Sequence, residues 1–339
     1  MTVDECTPVE MWDLQKPAIP QRSRLYHLEP IGVGTLYTES LSSYLCRLAQ
    51  EHCVTSQKLI MGEILPHMMG QNYEFTLIKK NVSILFTNSD AKPAVNGMRT
   101  KTQSLVQALK ELTQRKDLSF LSLLTWKEVV NEQELFRQYR AWCPQCNEQW
   151  WREKKVIYEP LLWSFREVDV CLHHNCLLID ECPYCSSRLP VIANFIQLGF
   201  CSRCKGWLGS QQYESQVIKT DELEWNQFKI RSIGDLIAIA PRLEYQPTLE
   251  ALIRKLQLIL FCFERAVNQD LTQFIRLGKI MEQLKIALTQ HYDKPFHLIS
   301  LVIPVCHQAN ISISQLFLED FNSLSKILLC NFKINYSLT

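Results

Sequence analysis

The chain has 339 residues, with 36 Lys/Arg against 35 Asp/Glu for a net charge of +1, and 47% of its residues are hydrophobic. That length exceeds one ordinary core and predicts two or three domains, and the even charge balance excludes binding nucleic acid by bulk charge alone. The polar start MTVDECTPVE carries no leader pattern, and runs such as LIAIA and LILFCF fall short of the roughly 20 residues of a membrane span, so a soluble intracellular protein with no membrane partner is expected.

Residues 1–35 read as an N-terminal extension, followed by a helical domain over 36–139. In residues 38–66, Leu41, Tyr44, Leu45, Leu48 and Ala49 recur at helical spacing on one apolar face. Thr38 or Ser40 can cap that helix, and Glu39 suits its first turn. Thr55 can cap a second helix carrying Leu59, Ile60, Ile64 and Leu65 and stopped by Pro66. Ala49, Val54 and Leu59 have the spacing of a helix-turn-helix, with Cys53 at the turn position that requires a positive φ. An ordinary αα-hairpin fits the same pattern.

A turn-rich loop with Pro93 and Asn96-Gly97 leads into a helix. Residues 90–117 hold Lys92, Arg99, Lys101, Lys110, Arg115 and Lys116 against Asp90, Glu111 and Asp117. These six basic groups are the candidate nucleic-acid contacts, as a phosphate-facing surface; a solvated face is the alternative.

Residues 140–210 read as a tandem zinc-ribbon domain. Three C-x-x-C pairs, Cys143/Cys146, Cys182/Cys185 and Cys201/Cys204, are joined by the mixed pair Cys171/His174. Structural zinc takes four S or N ligands from two such knuckles. Chain order assigns Cys143, Cys146, Cys171 and His174 to one ion and Cys182, Cys185, Cys201 and Cys204 to a second, so two structural Zn2+ per chain are expected. His173 and Cys176 stay open as substitutes for His174. Closed four-ligand sites leave no position for substrate, and neither the deaminase pattern nor a Gly-rich phosphate loop is present, so no catalytic residue is assigned. The other six cysteines, Cys6, Cys46, Cys53, Cys262, Cys306 and Cys330, read as small apolar residues. Trp142, Trp150, Trp151, Tyr158, Trp163, Tyr184 and Trp207 crowd the same region, as core or as interface anchors.

From 211 to 339 the periodicity is helical. FHLISLVIPVCHQANISISQLFLEDF repeats the helix-turn-helix spacing, with Cys306, Ile311 and Leu316 in place of Ala49, Val54 and Leu59, Asn310 at the turn, and Pro304 inside the first helix. The fold class expected is thus mainly α with small zinc-ribbon modules: an N-terminal helix-turn-helix, two tandem knuckle pairs and a C-terminal helical domain with a possible second helix-turn-helix. The part ending at Ser210 reads as able to fold and hold zinc without the tail.

The motifs ESLSSYLCRLA, LTQRKDLSFLSLLTW, RAWCPQC, LWSFREVDVCLHHNCLLIDECPYC and FCSRCKGWL resemble the TniQ family, which includes the TnsD-type target selectors of Tn7-like transposons. The resemblance implies a non-catalytic, cytoplasmic bacterial adaptor in DNA integration. In this reading it links an RNA-guided, Cascade-like CRISPR effector complex with its guide RNA to the AAA+ regulator TnsC at target DNA, with a homodimer among the implied assemblies. The same zinc ligand sets are implied. A TnsD-like protein that binds an attachment site directly is the alternative, and a zinc-containing helix-turn-helix transcription regulator is the rival from another class. The short part after the ribbons and the near-neutral charge favour the RNA-guided reading.

Overall fold

A computed structural model describes residues 22–69, 95–210, 220–267, 278–290 and 294–332. Lys92 and Cys6 lie outside them, as do most of the 1–35 extension and the part of the turn-rich loop that holds Pro93. The described residues are mainly helical and include one two-stranded antiparallel sheet.

Helix α1 (Leu41–Glu51) begins at Ser40, whose side chain accepts from the Ser43 amide. It buries the stripe of Leu41, Tyr44, Leu45, Leu48 and Ala49. Glu39 is not an exposed first-turn charge. It is fully buried, taking Nε and Nη2 of Arg47 at 2.8 Å on its two oxygens and the Ser43 hydroxyl at 2.9 Å. Removing one member of such a pair strands a buried charge.

After α1, Cys53 takes φ 53°, and the Val54 amide donates to the Ala49 carbonyl at 3.0 Å. Thr55 then caps α2 (Ser56–Leu59) by accepting from the Lys58 amide. Pro66 does not end the helix as expected. A π-type turn at Ile60–Ile64 intervenes, in which the Leu65 amide bonds Ile60 O, and α3 (Leu65–Met69) continues through the proline. The wider turn absorbs a residue that lacks an amide and would clash in a regular α-helix. Helix α4 (Thr100–Thr113) closes this module around Leu105, Leu109, Leu112, Ile60 and Ile64.

Irregular chain with short 3-10 turns leads to α5 (Pro144–Arg152) and to the hairpin β1 (Val170–Cys171) and β2 (Cys176–Leu177), in which Cys171 pairs with Cys176. The helical tail comprises α6 (Thr220–Ile239), α7 (Leu249–Val267), α8 (Gly278–Gln290), α9 (Ile303–Gln308), α10 (Ile313–Leu318) and α11 (Phe321–Asn331). The first turn geometry recurs between α9 and α10. Asn310 takes φ 50°, the Ile311 amide donates to Cys306 O at 3.0 Å, and Ser312 forms a capping box with Gln315. Pro304 also follows a π-type turn, Leu298–Val302, which is why it is tolerated there.

The cores do not stop at residues 139 and 210. Leu123, Trp126, Val129, Leu161, Phe165 and Val168 share one cluster with Ile233, Leu256, Leu284, Leu298 and Leu316 of the tail. Ile192, from the zinc region, joins the core around α1 and α4. Polar ties reinforce this. Asn96, in the expected turn, is buried, accepts from the Ser42 amide at 3.0 Å and donates to the Ser164 hydroxyl at 2.9 Å. Arg140 pairs with Glu159, whose amide donates to the Ser43 hydroxyl.

Candidate functional site

The two groups of four ligands come together from separate elements. Cys143 caps the N-terminus of α5 and Cys146 sits in its first turn, with the Cys146 amide donating to Cys143 Sγ at 3.4 Å. Cys171 ends β1, and His174 follows in the hairpin turn. The ligand atoms of Cys143, Cys146, Cys171 and His174 all lie within 4.8 Å of one another, as do those of Cys182, Cys185, Cys201 and Cys204. A tetrahedron of zinc–sulfur bonds of ~2.3 Å has edges of ~3.8 Å. Cys146 and Cys171 sulfurs are 3.6 Å apart, Cys182 and Cys204 3.6 Å, and Cys185 and Cys201 3.8 Å. His174 Nδ1 stands 3.6, 3.2 and 3.9 Å from the sulfurs of Cys143, Cys146 and Cys171. The donor chemistry and these separations fit two zinc ions.

Neither substitute for His174 occupies its corner. His173 is exposed and stacks edge-on against His174. Cys176 is buried, with its sulfur 3.4 Å from Cys143 Sγ, but it lies outside the group of four. The crowded thiols cannot all ionise unaided. Hydrogen bonding to Cys146, Cys171 and Cys176 pushes Cys143 far above the ordinary thiol range, while Cys143 and Cys146 draw Cys171 down to about 2. A divalent cation lets every sulfur carry its charge.

Two features escaped the sequence reading. His174 Nε2 faces Gln149 Oε1 at 3.1 Å, so Gln149 accepts the ring N–H and leaves Nδ1 as the ligand atom. The signal was available, since Gln149 follows Cys146 by three residues on one helix. Three knuckles also end in a non-glycine residue of positive φ: Asn175 (51°), Ser186 (52°) and Lys205 (63°). In each, that residue's amide closes onto the carbonyl of the knuckle's first cysteine, at 2.8 to 3.0 Å. The fourth knuckle runs into α5 instead.

The two sites differ in exposure. Cys143, Cys146 and Cys171 are buried, whereas Cys185 and Cys204 reach the surface. Of the aromatic residues, Trp142, Tyr158 and Trp163 are core, and Trp150 stacks on Tyr158 and Trp163. Trp151 and Tyr184 are exposed.

The basic groups do not form one patch. Arg99 pairs with Glu132 at 3.3 Å, and Arg115 forks onto Asp117, with Nε to Oδ1 at 3.1 Å. Lys110 reaches the Ser119 hydroxyl at 3.5 Å. Lys101 and Lys110 stand nine residues apart on α4, about half a turn around the axis. Lys116 is exposed at the start of a 3-10 turn.

Residues 30–178 match the family model described as TniQ. That segment is a TniQ-type segment. The TniQ segment takes in the α1–α4 module and the first ligand cluster and ends before Cys182. No curated protein matches the chain. The matched family is one of target selection in transposition. Among the described residues no helix is long and apolar enough to cross a membrane.

Proposed function

We propose that this protein is a non-catalytic adaptor that joins an RNA-guided CRISPR effector complex to the AAA+ regulator TnsC, and so directs transposase to target DNA. Two structural zinc ions, held by Cys143, Cys146, Cys171 and His174 and by Cys182, Cys185, Cys201 and Cys204, serve as staples that let a region of short irregular chain present a fixed surface. The observation that carries the adaptor reading is the poverty of the second helices in cations. Helix α10, ISQLFL, has no Lys or Arg, and α2, SQKL, has one. The start of α2 is also covered, since Ser56 is buried and the Gln57 amide donates to Asn194 O at 3.1 Å. A helix that reads a groove needs phosphate contacts beside it.

Direct reading of an attachment site is the second possibility, favoured by the paired αL turns at Cys53 and Asn310. The dispersed basic groups Arg99, Lys101, Lys110, Arg115 and Lys116 would then contribute to DNA contact. The two readings separate in a co-purification experiment. The adaptor should retain TnsC and the effector complex without target DNA and show no preference among duplex sequences. Sequence-specific duplex binding by the isolated protein, with no retention of the effector, would establish the attachment-site reading instead.

A further inference from the structure

The zinc region carries exposed aromatic side chains on α5 and on the second ribbon that neither ligand set uses. Tyr184 is 63% exposed, Trp151 57% and Phe195 43%. They are joined through the 199–209 segment. Lys205 Nζ lies 4.0 Å over the Phe195 ring, and the Tyr184 ring lies so close on Gly206 that a Cβ there would meet it at 2.3 Å. The next residue, Trp207, packs against Trp151 with ring centres 5.2 Å apart. The knuckles Cys182/Cys185 and Cys201/Cys204 hold the segments bearing Tyr184 and Lys205, so a bound ion fixes their spacing.

Basic residues lie near these rings along the chain, and Lys205 sits over one of them. Arg152 and Lys155 face Glu148 and Glu153. Lys154, Arg203 and Lys205 have no carboxylate at ion-pair distance among the described residues: Arg203 reaches the Ser187 hydroxyl and Lys205 the Ser202 carbonyl. A protein-binding surface gathers aromatics at its centre and is depleted in lysine. Exposed rings flanked by cations that have no carboxylate at ion-pair distance suit a polyanion whose flat bases are free to stack, which is single-stranded nucleic acid.

We infer that the ridge of Trp151, Tyr184 and Phe195, flanked by Lys154, Arg203 and Lys205, is a stacking platform for single-stranded nucleic acid. The inference does not depend on the target-selection role.

Anisotropy titrations of the zinc-loaded full chain test it, using labelled oligo(dT) and oligo(U) of about twenty nucleotides and a duplex of equal length. The single strands should bind more tightly than the duplex and quench tryptophan fluorescence. Trp151→Ala and Tyr184→Ala should each weaken binding by about 5-fold or more. Replacing Lys154, Arg203 and Lys205 together with Glu should reduce the slope of log K against log salt by about 2. Zinc content and thermal melting of each variant establish folding. Should Trp151→Ala lose zinc, Tyr184→Ala and the charge variant decide the matter. Equal affinity for duplex, no binding, or wild-type affinity in the folded variants would overturn the inference. So would variants that keep oligonucleotide binding but lose TnsC or the effector complex, which would make the ridge a protein surface.

Discussion

The first cluster turns on which atoms touch an ion and which hold those atoms in place. His174 presents Nδ1 because Gln149 occupies its Nε2, so Gln149→Ala should weaken zinc retention by about 10-fold to 100-fold. His174→Ala should lose the ion, and Cys176→Ser should keep it, since the Cys176 sulfur approaches that of Cys143 but lies outside the group of four ligands. A chelator competition that counts zinc per chain checks all three, and a Cys176→Ser protein with one zinc would reassign the ligand. The remaining thiols divide by burial. Desolvation pushes both Cys46 and Cys306 up to about 12, which cuts the thiolate fraction at neutral pH by about 10³-fold against an ordinary thiol near 8.5. Cys53 and Cys330 are exposed. Among the cysteines of the described residues, alkylation of the folded, zinc-loaded protein should therefore label Cys53 and Cys330 first, with Cys46 and Cys306 reacting only after unfolding, as peptide mass mapping would show.

At the scale of elements, the turns were legible because few residues satisfy them. The spacing of Ala49, Val54 and Leu59 required a positive φ at Cys53, and the dihedral is 53°. An L-residue other than Asn or Asp pays about 1–2 kcal/mol there, offset in glycine by about 0.5–1 kcal/mol of extra unfolded-chain entropy. Cys53→Gly should raise the melting temperature, and Asn310→Gly should raise it less, because asparagine already tolerates the αL region; equal shifts would mean the turn at Cys53 stores no strain. Pro66 departs from the expected helix stop for a definite reason. Propensity rules treat the helix as uniformly α, whereas π-type turns precede Pro66 and Pro304 and leave room for each ring. The ligand knuckles were readable from spacing alone, because metal geometry constrains pairs of residues locally. Gln149 needed the helix phase as well. Sequence proximity does not reveal that Glu132 and Asp117 engage Arg99 and Arg115.

For the whole molecule, apolar clusters run across the expected boundaries at 139 and 210. Metal removal should follow exposure: a mild chelator should strip the ion of Cys182, Cys185, Cys201 and Cys204 before that of the buried first cluster, giving two kinetic phases of zinc release; a single phase would show that the sites open together. The tail tests the integration more severely. Trp126, Leu161, Phe165 and Val168 are each no more than 2% exposed, and the cluster that covers them is built from tail residues such as Ile233, Leu256 and Leu298. A chain ending at Ser210 uncovers that face, and a loss of several large side chains from burial costs about 1.5–3 kcal/mol each, comparable in sum to the whole stability of a domain. The zinc knuckles are local and close on their own hydrogen bonds, so they do not compensate for a missing wall of the core. The truncated chain should still take up zinc, yet bind a hydrophobic dye, melt without a cooperative transition and self-associate, unlike the full chain. A monomeric fragment with a sharp melt would show that the face from Trp126 to Val168 is stable in water and that the tail is a separate unit after all.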